Sequence, residues 1–91
     1  MSAAQEKSVA VNSFIDLANS LTAGGSSVTA VSSGLMTACA IFATYAVTGN
    51  DGALRESGIE KITKLFAKEL SAVQRAKINQ AKQSGMEVPS E

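Results

Sequence analysis

The chain has 91 residues, of which 45% are hydrophobic and 18% are charged, and its eight basic residues balance its eight acidic ones. This length is enough for one domain and excludes an active-site domain carried on a separate scaffold. A net charge of zero gives no overall attraction to nucleic acid or to anionic lipid.

The first predicted helix covers residues 3–21. Ser2 and Gln5 have the spacing of a capping box, in which each side chain satisfies a free amide of the first helical turn. No apolar run of signal-peptide length occurs near Glu6 and Lys7, so we expect a cytoplasmic protein. Apolar residues on one face of this helix are Val11, Phe14, Leu17, Ala18 and Leu21.

The first connector is the sequence AGGSS at residues 23–27. Gly24 or Gly25 can adopt the left-handed conformation that ends a helix, and Ser26 or Ser27 can cap the next one. The segment lacks the lysine and the spacing of a phosphate-binding loop. A helix connector is therefore favoured over a phosphate site.

The second predicted helix covers residues 28–48, within a window from 17 to 50 that contains no charged residue. Such a helix can cross a membrane or pack in a soluble protein. At 100° per residue, one side is mostly apolar and the other carries hydroxyl groups, and no basic or aromatic anchors flank the segment. We therefore favour a soluble helix and keep a membrane span as an alternative. The apolar side holds Val28, Val31, Leu35, Ala38, Cys39, Phe42, Tyr45 and Ala46.

The third predicted helix follows the turn sequence GNDG. Ser57 and Glu60 form a second capping-box pair, so the helix should be regular from about residue 58, can begin as early as 53, and should end near 84–85. Pro89 belongs to a predicted frayed tail, residues 85–91. One face carries an apolar stripe of Ile59, Ile62, Phe66, Leu70 and Val73. A basic stripe of Lys61, Lys64, Lys68, Arg75 and Lys82 could follow phosphates, although a solvated face is favoured.

Residues for catalysis are scarce. The chain has no histidine, its carboxylates are dispersed, and GNDG does not place ligands where a calcium loop needs them. We predict no catalytic residue, no metal site and no cofactor. Cys39 cannot form an internal disulfide and is expected to behave as a small hydrophobic side chain in the core. Glu69 is expected either at the core margin or paired with a cation on another helix.

The blocks FIDLAN (14–19), VSSGLMTACAIF (31–42) and KLFAKEL (64–70) resemble the successive helical blocks of a family of short uncharacterised bacterial proteins. Members typically carry an arginine and an asparagine after the alanine-rich second helix, where this chain reads IFATYAV. The resemblance implies an all-helical cytoplasmic protein and assigns no functional residue.

These features predict an all-α fold, with residues 1–91 forming a single helical domain whose ordered part covers about 3–84. Three helices should pack mainly antiparallel and associate into a larger helical bundle. The expected core includes Phe14, Leu21, Leu35, Phe42, Ile62, Phe66 and Leu70.

We expect a non-enzymatic oligomerisation or protein-interaction module, with a homodimer favoured. Alternatives are nucleic-acid or anionic-surface binding through the basic stripe and a small membrane protein spanning at 28–48. A water-facing helix normally carries charged residues, and the second helix carries none. Its predicted self-association surface consists of Thr29, Ser33, Met36, Thr37, Ala40, Ile41, Thr44, Val47 and Thr48.

Overall fold

The computed structural model describes residues 1–85, which form three α-helices and no strand. Helix α1 is Ala3–Ala23, α2 is Val28–Thr48 and α3 is Glu56–Gln83. The all-α prediction is confirmed. Pro89 and most of the predicted tail lie outside the described residues.

The predicted capping box begins α1. The Gln5 backbone N–H donates to Ser2 Oγ at 3.2 Å, and the Ser2 N–H donates to Gln5 Oε1 at 2.8 Å. Helix α1 continues two residues beyond the predicted end, and Gly24 caps it by donating to the Ser20 carbonyl at 3.0 Å. Gly25 follows with φ 111°, a conformation that glycine adopts without a steric penalty.

Helix α2 has the predicted bounds. Of the two candidate caps, Ser27 is the one used: its Oγ accepts the Ala30 N–H at 3.0 Å. The helix ends before Gly49, whose φ of 72° turns the chain away from the helical path. Thr48 Oγ1 then donates to the Asn50 carbonyl at 2.8 Å.

Helix α3 begins at Glu56, two residues before the predicted regular start. The predicted capping box of Ser57 and Glu60 is wrong, because Ser57 already lies inside the first turn and Arg55 occupies the cap without a side-chain hydrogen bond. The end agrees with the prediction: Ser84 caps the helix, and Gly85 follows with φ 72°.

The chain divides into two compact units, Met1–Ala46 and Val47–Glu91. No described residue is buried in a single copy of the chain. The predicted core is therefore wrong for one chain: Ile62 is half-buried, and the other six residues are exposed, including Phe14 at 59% and Phe42 at 69%. Two helices in contact cover only one side of each other, which explains the exposure within the first unit. That residues 1–91 form one domain stays a prediction.

Candidate self-association surface

Helices α1 and α2 together line an apolar groove of about 290 Å³ within the first unit. None of its lining residues is charged, and Ser26 is the only one with a polar side chain. Four of the five residues predicted for the apolar face of α1 contribute, which confirms that this face turns towards α2. The lining consists of Phe14, Leu17, Ala18, Leu21, Ser26, Ala30, Val31, Gly34, Leu35 and Ala38.

The side of α2 that lines the groove is rich in small residues. Ala30, Gly34 and Ala38 are spaced four apart and therefore share one face of the helix. Our assignment of the apolar side included Ala38 and missed the other two, because it weighed hydrophobic size. The spacing of three small residues was the signal that could have identified them, since small side chains let helix backbones approach closely.

The predicted self-association surface lies outside this groove, because none of its nine residues is among the lining. Thr44 and Thr48 are half-buried, and the other seven are exposed. Met36 and Ile41 are 62% and 67% exposed, which is high for large apolar side chains in a folded protein. The structure therefore leaves a wide, uncharged side of α2 facing away from the groove.

The hydroxyl groups of this surface place few demands on a partner. Thr44 Oγ1 donates to the Ala40 carbonyl at 2.7 Å, so its proton is already used within the helix. The hydroxyls of Thr29, Ser33 and Thr37 make no hydrogen bond within the described chain. These three groups can therefore bond to water or to a partner.

Two aromatic rings stand beside the groove on α2. The ring centroids of Phe42 and Tyr45 are 6.1 Å apart, and the ring planes are inclined at 44°. This tilted arrangement is within the range favoured by aromatic pairs. Cys39, which was predicted in the core, is exposed, because the residues expected to cover it are themselves exposed.

The basic stripe of α3 is accessible along its length. All five side chains are exposed, and none makes an ion pair with a described residue. Glu69 is also exposed, as its predicted place at a margin requires. Among the described residues, no group of three or more His, Cys, Asp or Glu side chains is placed to hold a metal ion.

The chain matches no family model, no curated protein and no solved structure. Within the described part, α2 alone is long and apolar enough to cross a membrane, with a mean hydropathy of 1.6 over its most apolar stretch. This criterion considers length and composition only. The core helix of a soluble protein passes it too, although such a helix is mostly buried and α2 is not.

Proposed function

We propose that this protein is a non-enzymatic self-association module, in which three-helix domains with mainly antiparallel helices associate into a homodimer or a higher homo-oligomer. The observation that carries the proposal is the exposure of large apolar side chains on every helix. Covering such surface contributes roughly 25 cal/mol per Å² of apolar area removed from water. The exposed set includes Phe14, Leu17 and Leu21 on α1, Met36, Ile41 and Phe42 on α2, and Phe66, Leu70 and Val73 on α3.

The nine-residue surface of α2 is well suited to contact between copies. It contains no charge, so covering it removes no ion from water. Small side chains such as Ala40 allow two helices to approach closely, while Met36 and Ile41 supply apolar area. A two-fold arrangement uses one self-complementary surface on both copies, which is why a dimer is the favoured state.

A membrane protein is the second candidate, and the composition and exposure of α2 favour it. Insertion of α2 would cover only the apolar residues of that helix. The exposed Phe14 and Leu17 on α1 and Phe66 on α3 would stay in contact with water, since those helices carry charges along their length. Association with another copy can cover residues on all three helices, and we prefer it for that reason.

Binding to nucleic acid or another anionic surface is the remaining candidate. Its support is the unpaired, exposed basic stripe on α3. Glu56 and Glu60 begin the same helix and place negative charge near one end of that stripe. The lysines also lack interleaved aromatic side chains that could stack on bases. We therefore rank this function below self-association.

Sedimentation velocity at micromolar concentration, without detergent, tests the proposal. We expect the parent protein to be soluble and oligomeric. Thr37→Glu should shift it towards monomer, because the new carboxylate would lose water on being covered. Ser13→Glu on α1 is the matched control, since Ser13 is exposed and lies outside both the groove and the nine-residue surface.

The possible outcomes separate the candidates. A monomeric parent contradicts self-association. An oligomer that tolerates Thr37→Glu as well as it tolerates Ser13→Glu contradicts the assignment of the surface to α2. A parent that stays in the membrane fraction until detergent is added supports the spanning alternative.

A further inference from the structure

The connector between α2 and α3 contains an Asp-Gly pair, Asp51–Gly52, in an exposed position. Residues 49–55 belong to no helix, and both members of the pair are exposed. The Gly52 N–H donates to Asn50 Oδ1 at 2.6 Å, so this amide is not held by a neighbouring helical carbonyl. The backbone around the pair is therefore free of the hydrogen-bond ladder that fixes amides inside helices.

An aspartate followed by glycine is chemically susceptible because the next backbone nitrogen can reach the side-chain carboxyl carbon. Glycine offers that nitrogen without a side chain to obstruct it. The hydrogen bond to Asn50 Oδ1 also draws the amide proton away from the Gly52 nitrogen, which raises the electron density available for attack. Both the nucleophile and its target thus lie in an accessible segment.

We propose that Asp51 is a site of spontaneous isomerisation to isoaspartate. The Gly52 nitrogen bonds to Asp51 Cγ, the Cγ–OH bond of the protonated side chain breaks, and the amide proton leaves with that hydroxyl as water. The five-membered succinimide then takes up one water at either carbonyl carbon. Opening at one carbonyl restores aspartate, and opening at the other gives isoaspartate with no net change in atoms or charge.

The two neighbouring candidates are less suited to this chemistry. Deamidation of Asn50 needs attack by the Asp51 nitrogen, whose residue carries a side chain and a negative charge beside the reacting atoms. Asp16, the other aspartate of the chain, lies in the middle of α1 and precedes Leu17. Its following amide belongs to the helical hydrogen-bond pattern, so Asp16 provides an internal control.

Isomerisation would change the connector without changing its charge. The main chain would pass through Cβ and Cγ of residue 51, adding one carbon atom to the path, and the free carboxylate would move to Cα. The hydrogen bond between Gly52 N and Asn50 Oδ1 spans this position, so its geometry would change as well. Samples of different age would therefore contain connectors of two lengths.

The test incubates the full chain for several weeks at body temperature in neutral buffer. Chymotryptic cleavage after Tyr45 and Leu54 isolates residues 46–54, and chromatography separates the aspartate and isoaspartate peptides of equal mass. Electron-transfer fragmentation locates the extra backbone carbon. Methyl transfer from labelled S-adenosylmethionine by an isoaspartyl carboxyl methyltransferase counts the product independently.

We expect isoaspartate at residue 51 to increase with time while Asp16 stays unchanged. Gly52→Ala should lower the initial rate several-fold, and Asp51→Glu, which keeps the charge but favours no five-membered ring, should abolish the product. Absence of isoaspartate in the parent overturns the proposal, as does an equal rate in Gly52→Ala. A gain of one mass unit at Asn50 in place of isomerisation overturns the assignment to Asp51. Far-ultraviolet circular dichroism checks that both variants keep their helices.

Discussion

Thr44 Oγ1 lies 2.7 Å from the carbonyl oxygen of Ala40, to which it donates a hydrogen bond one helical turn back along α2. The bond uses the only proton of the hydroxyl and leaves the methyl group as the part of Thr44 that a partner would contact. A polar residue thereby contributes a largely apolar contact. This is why an uncharged threonine-rich helix side can be covered at little cost in lost hydrogen bonds to water.

The first prediction concerns the side chain at residue 44. Thr44→Val should change the dissociation constant of the oligomer less than about 3-fold, because valine has nearly the same shape and removes both the donor and the need for it. Thr44→Lys should weaken association at least about 10-fold, or about 1.4 kcal/mol, since the ammonium would be covered without a partner. Analytical ultracentrifugation over a dilution series measures both constants.

Ser13→Lys is the control for this pair. Ser13 Oγ donates to the Val9 carbonyl at 2.9 Å, so it makes the same kind of bond on α1, away from the proposed surface. A lysine near the C-terminal end of α2 interacts favourably with the helix dipole, so Thr44→Lys should not unfold the helix. Equal association of Thr44→Lys and Ser13→Lys would remove residue 44 from the interface.

The second prediction concerns the cap of α2. Ser27→Ala removes the hydrogen bond that the Ala30 N–H donates to Ser27 Oγ at 3.0 Å. We expect the free energy of unfolding to fall by about 1 kcal/mol. Ser26→Ala is the matched control, because the Ser26 side chain makes no hydrogen bond, and it should change stability much less. Urea denaturation followed by circular dichroism gives both values, and equal losses would contradict the assignment of the cap to Ser27.

The third prediction contrasts two glycines of the α1–α2 unit. Gly25→Ala should destabilise the protein by about 1 to 2 kcal/mol, because φ is 111° there and a Cβ atom strains that backbone. Gly34 lies inside α2, and a Cβ added to it meets no atom within 4 Å. Gly34→Ala should therefore stabilise the protein by about 1 kcal/mol through helix propensity. Thermal unfolding compares the two, and a destabilised Gly34→Ala would indicate that something approaches this helix closely.

The fourth prediction treats the basic stripe as a solvated helix face. Lys64→Gln should change the free energy of unfolding by less than about 0.5 kcal/mol, as for other exposed residues without a structural partner. We also expect no binding of a short DNA duplex at low salt by fluorescence anisotropy. Binding that weakens as salt rises, and that Lys64→Glu reduces more than Lys77→Glu, would instead support the anionic-surface function.

Much of the secondary structure could be predicted from the sequence because its signals are local. The Ser2–Gln5 box, the double glycine and the turn before Asp51 each act over a few residues, and α2 has the predicted bounds. The start of α3 was misplaced by a cap pattern without its hydrogen bond. Ser57 follows Glu56 inside the first turn, and Gly58 lies against Leu54, whose Cδ2 would be 3.0 Å from an added Cβ.

The surface could be predicted only in part, because burial depends on what packs against each helix. Helical periodicity identified which residues share a face, and Phe14, Leu17 and Leu21 do line one groove with α2. Periodicity could not show that Phe42 would stay 69% exposed, since the same pattern fits contact within a chain and contact between chains. The contribution of Ala30 and Gly34 required attention to close approach as well as to hydrophobicity.

The aromatic pair on α2 gives the protein a built-in optical reporter. Tyr45 is the only tyrosine, and the chain has no tryptophan, so ultraviolet-excited fluorescence comes essentially from this one ring. Because the ring is 51% exposed and lies beside Phe42, its access to a water-soluble quencher reports directly whether this side of α2 is covered. Quenching measured while the protein is diluted can follow the covering of α2 in the unlabelled native sequence.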